Sequence, residues 1–248
     1  MSDHSYPVEV QSDFLEKITR AKPVHAVAEF IWNSLDADAA AIDVTVEYNP
    51  LGGMSQIIVR DNGTGIDFDA APDLFKKLGG SWKRAGATTK KFGRFLHGQD
   101  GRGRFKVFGL GDLAEWDVTY AKDQNLSTFK VHMRASNLKE VVISDEGPAL
   151  AKTGTGVTLT ISNLHQDYVS LTSDAGLQEF TEIFALYLAD YKDVSITIES
   201  RRIDPASVIA SQGSLTLSDL VDEAGKAYPV RLEIIEWRSA TNRASLQR

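Results

Sequence analysis

The stretch AEFIWNSLDADA, residues 28–39, decides how the chain is read. At about 100° per residue, Val24, Val27, Ala28, Ile31 and Leu35 form one apolar stripe, and Glu29, Asn33 and Asp36 gather on nearly the opposite face. Every amphipathic helix has a wet side, and that alone explains many such polar lines. Here Phe30, Trp32 and Ala37 flank the line, so its polar groups sit in apolar surroundings, where charged residues usually have a partner or a task. Glu29 and Asn33 are spaced i and i+4, so both side chains can reach one ligand.

Working outward, the pattern predicts a helix over DFLEKITRA, then a second from Val24 to Asp38 with Pro23 near its first turn. AIDVTVEY alternates strictly, with Ile42, Val44, Val46 and Tyr48 on one face, the period of a half-buried strand. NPLGGMS is its turn and QIIVR its partner strand, which ends directly in DNGTGI, residues 61–66. A helix is expected around APDLFKKLG. From Gly79 to Gly111 glycine and basic residues dominate and hydrophobic periodicity is weak, which predicts a long functional loop. EWDVTYA, STFKVHMRA, EVVISDE and GVTLTISNL then read as successive antiparallel strands. The remainder reads as helix GLQEFTEIFALYLADY, strand VSITIES, a polar stretch around IDPASVIASQGS, and strand PVRLEIIEW. Helices at one end followed by strands indicate an α+β two-layer sandwich with a mainly antiparallel sheet.

Composition limits the chemistry. The 248 residues are 42% hydrophobic and 25% charged, ordinary globular material, with a net charge of −7 that argues against a surface given over to nucleic acid. There is no cysteine, so disulfides, thiolate nucleophiles and cysteine-held zinc are excluded, and any metal must sit on oxygen or imidazole. No apolar run approaches the roughly 18 residues that span a bilayer, and the acidic N-terminus is unlike a signal peptide, so no membrane contact and a cytoplasmic location are expected. No G-x-x-x-x-G-K-[ST] occurs. GLGDLA, with Gly109, Gly111 and Ala114, matches the letters of the dinucleotide fingerprint without a preceding strand, and is read as helix packing.

In DNGTGI, Asp61 closes a strand and Gly63 and Gly65 follow two apart, where backbone and ligand can approach closely; an ordinary Asn-Gly turn is the alternative. Taken together, EFIWNSLDA, DNGTGI about thirty residues later, the glycine-rich lid and TGTGVTLTI resemble the GHKL ATPases, in that family's order and spacing over roughly residues 24–161. That superfamily includes gyrase-type topoisomerases, the large heat-shock chaperones, histidine kinases and MutL, and the resemblance implies its α/β sandwich, the Bergerat fold.

The resemblance implies ATP and Mg2+ as ligands. Asn33, in E-x-x-x-N, would coordinate the Mg2+ bridging the phosphates, and Glu29 would be the general base for the attacking water. Asp61, in D-x-G-x-G, would accept from the adenine amine, with Gly63 and Gly65 letting the purine lie against backbone. Asp36, Ala37 and Ile66 would border the nucleotide, and Thr155 would support the adenine and its bound water. These residue types suit the tasks: a hard oxygen for Mg2+, a carboxylate base, an acceptor for an amine.

The lid carries Lys83, Arg84, Lys90, Lys91, Arg94, Arg102, Arg104 and Lys106 against one acid, Asp100. Gly98, Gly101 and Gly103 are the candidates for a backbone cradle around the triphosphate, with Lys106 beside them. A charged loop touching nucleic acid is the alternative for Lys83 to Lys91. The chain has no helix carrying a phosphoacceptor histidine ahead of the nucleotide motifs, which disfavours a histidine-kinase-type kinase, and Glu29 favours hydrolysis. The nearest branch is that of MutL, MORC-type and heat-shock-chaperone ATPases, in which ATP closes a homodimer. The expected organisation is an arm over 1–12, an ATP-binding domain over 13–165 with its lid at 79–111, and, over 166–248, the start of a transducer-like domain that is cut short. An ATP-driven switch and a non-hydrolysing ATP-binding sensor both remain open.

Overall fold

A computed structural model describes residues 22–76, 88–97, 103–138, 140–150 and 154–238. The expected arm, the helix at DFLEKITRA, and Gly98, Gly101, Lys83, Arg84, Asp100 and Arg102 of the lid lie outside the described residues.

Helix α1 (Pro23–Asp36) begins with proline in its first turn, after Lys22 in extended conformation. Its stripe is buried as the spacing requires: Val24, Val27, Ala28, Ile31 and Leu35 are all at most 4% exposed. Burying each of the larger side chains contributes about 1.5–3 kcal/mol. The helix stops in a Schellman motif, with Ala39 N donating to Ser34 O at 3.0 Å and Asp38 N to Leu35 O at 3.0 Å. Asp38 takes the left-handed position usually given to glycine, φ +62°. That costs about 1–2 kcal/mol for a residue with a Cβ. Its carboxylate offsets the cost by accepting Lys91 N at 2.9 Å and Phe92 N at 3.2 Å.

Strands β1 (Ala41–Tyr48) and β2 (Met54–Asp61) form the expected hairpin, with Ile42 opposite Asp61 and Val44 opposite Val59. The register shifts between Glu47 and Tyr48, so Tyr48 leaves the core face on which alternation had put it and is 51% exposed. A short helix α2 (Ala71–Lys76) follows. Then come β3 (Gly111–Lys122), β4 (Asn125–Arg134), the two-residue strands β5 (Val142–Ile143) and β6 (Gly147–Pro148), and β7 (Gly156–Leu164). Helix α3 (Asp174–Asp190), capped by Ser173 Oγ accepting Gly176 N, leads to β8 (Ser195–Ile198) and β9 (Arg201–Arg202). Among the described residues these nine strands run in the order β5-β4-β3-β7-β2-β1-β8-β9, with β6 also on β4. Every pairing is antiparallel except β1 with β8.

The sheet is therefore mostly antiparallel, in an α+β sandwich. One face carries Ile42, Val44, Ile57, Val59, Trp116, Val118, Phe129, Val131, Leu159 and Ile161, all 6% exposed or less. The alternating residues Asp43, Thr45, Glu115, Asp117, Lys130 and His132 face the other way.

Two expectations are corrected. GLGDLA does not pack as a helix: a 3-10 turn over Gly103–Gly109 runs into β3 at Gly111, where a Cβ would meet Ser162 O at 2.6 Å. The turn buries Phe105, Val107 and Phe108, and Leu110 just after it is buried too, so the end of the glycine-rich segment is core, a fact hidden by the 3-10 period of three. The polar stretch around IDPASVIASQGS holds a strand, β10 (Ile209–Val221), paired with β11 (Ala227–Trp237) in a separate two-stranded sheet. Among the described residues no helix is long and apolar enough to cross a membrane.

Candidate functional site

The carboxylate of Asp61 is the best-determined group of the site. At the end of β2 it turns under α1, where Oδ1 accepts Gly63 N at 2.9 Å and Val157 N at 3.2 Å, and Oδ2 accepts Ser34 Oγ at 2.8 Å. Burial pushes its pKa above the ordinary 3.8, while the bonds from Gly63, Ser34 and Val157 pull the other way. A carboxylate offers about four acceptor positions, and three protein donors leave one at Oδ2 for an outside donor. Ser34, passed over in the helix reading, is thus the residue that ties α1 to β2; a lone serine inside the apolar stripe was its signal.

The two glycines of the loop have reasons inside the protein. A Cβ at Gly63 would lie 2.6 Å from Ala37 O, and one at Gly65, whose φ is +74°, would lie 2.2 Å from Thr119 O. The loop is pressed between the end of α1 and β3, with Thr64 N donating to Ala37 O at 2.8 Å. Asn62 holds it from below by accepting Ala40 N at 2.9 Å and Ala41 N at 2.8 Å. Thr155 Oγ1 donates to Gly63 O at 2.6 Å, which leaves that hydroxyl only acceptor capacity toward anything else. At Gly156 a Cβ would meet Asp61 O at 2.1 Å. Asp61, Gly63, Gly65, Thr155 and Ala37 are therefore brought together at the C-terminal end of α1. Ile66, which continues the loop, is partly buried against the core.

Glu29 lies five residues before Ser34, about 7.5 Å along the helix axis at 1.5 Å per residue. Lys106 Nζ donates to Glu29 Oε1 at 2.6 Å, and a Cβ at Gly103 would stand 2.7 Å from Glu29 Oε2. The 3-10 turn is thus the wall beside Glu29. Asn33, one turn on from Glu29, is exposed on the same side of α1. Asp36, by contrast, is only 9% exposed and accepts His97 N at 2.8 Å, so it anchors the lid at that residue. The His97 ring stacks on Trp32 with centroids 3.7 Å apart.

Residues 88–97 are a clamp rather than a free loop. Arg94 is 1% exposed; it donates to Ala39 O at 2.6 Å and to Asp193 Oδ2 at 2.8 Å, and lies 4.6 Å from the Phe92 ring centre. A cation at the carbonyl end of α1 is favourably placed with respect to the helix dipole. Arg94 therefore belongs to the interior and drops out of any basic surface, whereas Lys90 and Lys91 are exposed. The arginine count in the lid gave no warning of this, since a buried arginine and a solvated one look alike in sequence.

The arrangement has two ends: an acceptor with one position open at Asp61, and a carboxylate, a carboxamide and a cation at Glu29, Asn33 and Lys106. Among the described residues no group of three or more His, Cys, Asp or Glu could hold a metal by itself. A divalent ion here would need ligands from a bound molecule, which suits Mg2+ with phosphate oxygens and water.

Residues 21–165 match the family described as histidine kinase-, DNA gyrase B-, and HSP90-like ATPase. A protein of Herpetosiphon aurantiacus provisionally named type II restriction enzyme HgiDII is 25% identical over 135 residues, 53% of this chain and 21% of that protein. The DNA mismatch repair protein MutL of Pediococcus pentosaceus is 25% identical over 185 residues, 72% of this chain and 26% of its own length. The chain thus spans only a minor part of these curated relatives. Among solved structures, the Aquifex aeolicus MutL ATPase domain complexed with ADP aligns with a TM-score of 0.44 at 15% identity, over 74% of this chain and 62% of that one.

Proposed function

This chain belongs to the histidine kinase-, DNA gyrase B- and HSP90-like ATPase family, and we propose that it binds ATP with Mg2+ and, within its whole protein, hydrolyses it to drive closure of a dimer. The observation that carries the reading is the open acceptor position on Asp61 Oδ2, sunk beside Ser34 near the C-terminal end of a helix that also presents Glu29 and Asn33. The adenine amine donates to Asp61, and the phosphates run along α1 toward Glu29. Asn33 would offer a side-chain oxygen to Mg2+, a hard cation that takes oxygen ligands. Bound there, the ion neutralises phosphate charge and polarises the γ-phosphoryl group.

The protein's own groups do the rest. Asp61, Thr155 and the loop pinned by Gly63 and Gly65 fix the adenine, while Asp36 holds the lid at His97. Glu29 takes a proton from the water that attacks the γ-phosphorus, and ADP leaves as the bond to its β-phosphate oxygen breaks. MutL-like dimer closure is part of the same proposal. Titration of the chain with ATP, with and without Mg2+ and with GTP as control, tests the reading: ATP should bind and GTP should not. Absence of ATP binding would sink it.

A second reading, ATP bound without useful turnover, draws support from one contact: Glu29 Oε1 is already engaged by Lys106. Glu29→Gln discriminates the two in the whole protein. A switch keeps ATP binding and loses about a hundredfold or more in turnover; a sensor has no turnover to lose.

A further inference from the structure

We infer that Lys106 is a latch on Glu29, opened when the outer phosphates of a nucleotide draw the lysine away. The inference rests on the ATPase reading above and adds to it a restraint on the base. Lys106 Nζ stands 2.6 Å from Glu29 Oε1, and the two side chains are only 24% and 34% exposed. The charge-assisted bond takes one of the two lone pairs of Oε1 and ties the carboxylate to the 3-10 turn, so the pair has to part before the carboxylate can reorient toward water. The second oxygen, Oε2, faces the backbone of Gly103, where even a Cβ would stand 2.7 Å away. Both oxygens of the base therefore lie beside one segment, the 3-10 turn.

That segment does not have to move for the latch to open. Phe105 and Val107, on either side of Lys106, are 2% and 0% exposed, and Tyr168 Oη donates to the carbonyls of Gly109 at 3.1 Å and Leu110 at 2.9 Å. The backbone of the turn is fixed in the core, while the four-carbon stem of the lysine can swing. A polyphosphate presents several negative charges to a carboxylate's one, so it wins the cation whenever its outer phosphates lie beside Glu29. Occupancy of the site and freedom of the base are then one event, carried by a single side chain.

The test is a double-mutant cycle in nucleotide binding, measured calorimetrically on the full chain with wild type, Glu29→Gln, Lys106→Met and the double variant. If Lys106 leaves Glu29 on binding, Glu29→Gln tightens ATP more in the presence of Lys106 than in the Lys106→Met background. The extra factor is on the order of three- to fivefold for a partly exposed pair. Relief of repulsion between Glu29 and the phosphates is common to both backgrounds and cancels. AMP, which lacks the outer phosphates, should show no extra factor. Urea unfolding of each variant establishes that the comparison is between folded proteins. Equal effects of Glu29→Gln in both backgrounds, or the same extra factor with AMP, overturn the latch and leave the ATPase reading intact. Failure of the wild-type chain to bind ATP removes the ATPase reading itself.

Discussion

Asp61→Asn separates ligand binding from folding. The carboxylate makes three internal contacts: Gly63 N and Val157 N to Oδ1, and Ser34 Oγ to Oδ2. An asparagine oxygen in the Oδ1 place keeps both amides. Its Nδ2 then faces Ser34 Oγ, which can accept from it while turning its own proton to Phe30 O, 3.1 Å away. The fold is thus expected to survive. The fourth position, however, changes from acceptor to donor and meets the adenine amine donor to donor. A hydrogen bond to a charged acceptor is worth about 1.5–3 kcal/mol, so ATP affinity should fall on the order of ten- to a hundredfold. Titration calorimetry reads the affinity, and urea unfolding reads the stability.

The pH dependence gives a second readout of the same substitution. Burial holds the Asp61 pKa above 3.8 in the native state. The folded protein therefore keeps a proton that the unfolded chain has lost, and this group's contribution to stability falls as pH rises from 3.8 through the native value. Asp61→Asn lacks that component, so relative to wild type it gains stability across this window. Unchanged ATP affinity in a folded Asp61→Asn protein refutes the assignment of Asp61 to the adenine. A stability loss of several kcal/mol at neutral pH would refute the account of its internal contacts.

Three further substitutions bear on the rest of the site. Gly65→Ala places a Cβ 2.2 Å from Thr119 O at a φ of +74°, so it should cost about 2–5 kcal/mol in urea unfolding; a cost below about 1 kcal/mol would mean the loop can leave β3 easily. Arg94→Met removes the cation shared by Ala39 O and Asp193 and should cost about 2–4 kcal/mol, seen as a lowered Tm. Arg94→Lys should recover little, because one ammonium cannot span both acceptors. Asn33→Ala should abolish most of the Mg2+ enhancement of ATP binding while leaving Mg2+-free binding near wild type, and an undiminished enhancement would remove Asn33 from the metal.

Sequence by itself determined what local periodicity and local chemistry can encode. The apolar stripe of α1, the alternation of β1 and its pairing with β2, and the mostly antiparallel α+β architecture all follow from spacings within a dozen residues. The motif at 61–66 was equally legible, since an aspartate ending a strand before two glycines is a local pattern. Tertiary structure decided what depends on which distant backbone comes close. Gly65 needs to be glycine because of Thr119, and Gly156 because of Asp61. Arg94 is interior because Ala39 and Asp193 converge on it, although its neighbours in the chain suggested a basic surface. Strand β10 lies in a segment with little apolar alternation and exists through its ladder with β11. The pairing of Glu29 with Lys106, 77 residues apart, is of the same kind. No spacing rule could announce it, because a Coulomb contact depends on separation in space, and only the packed 3-10 turn brings that lysine to the base.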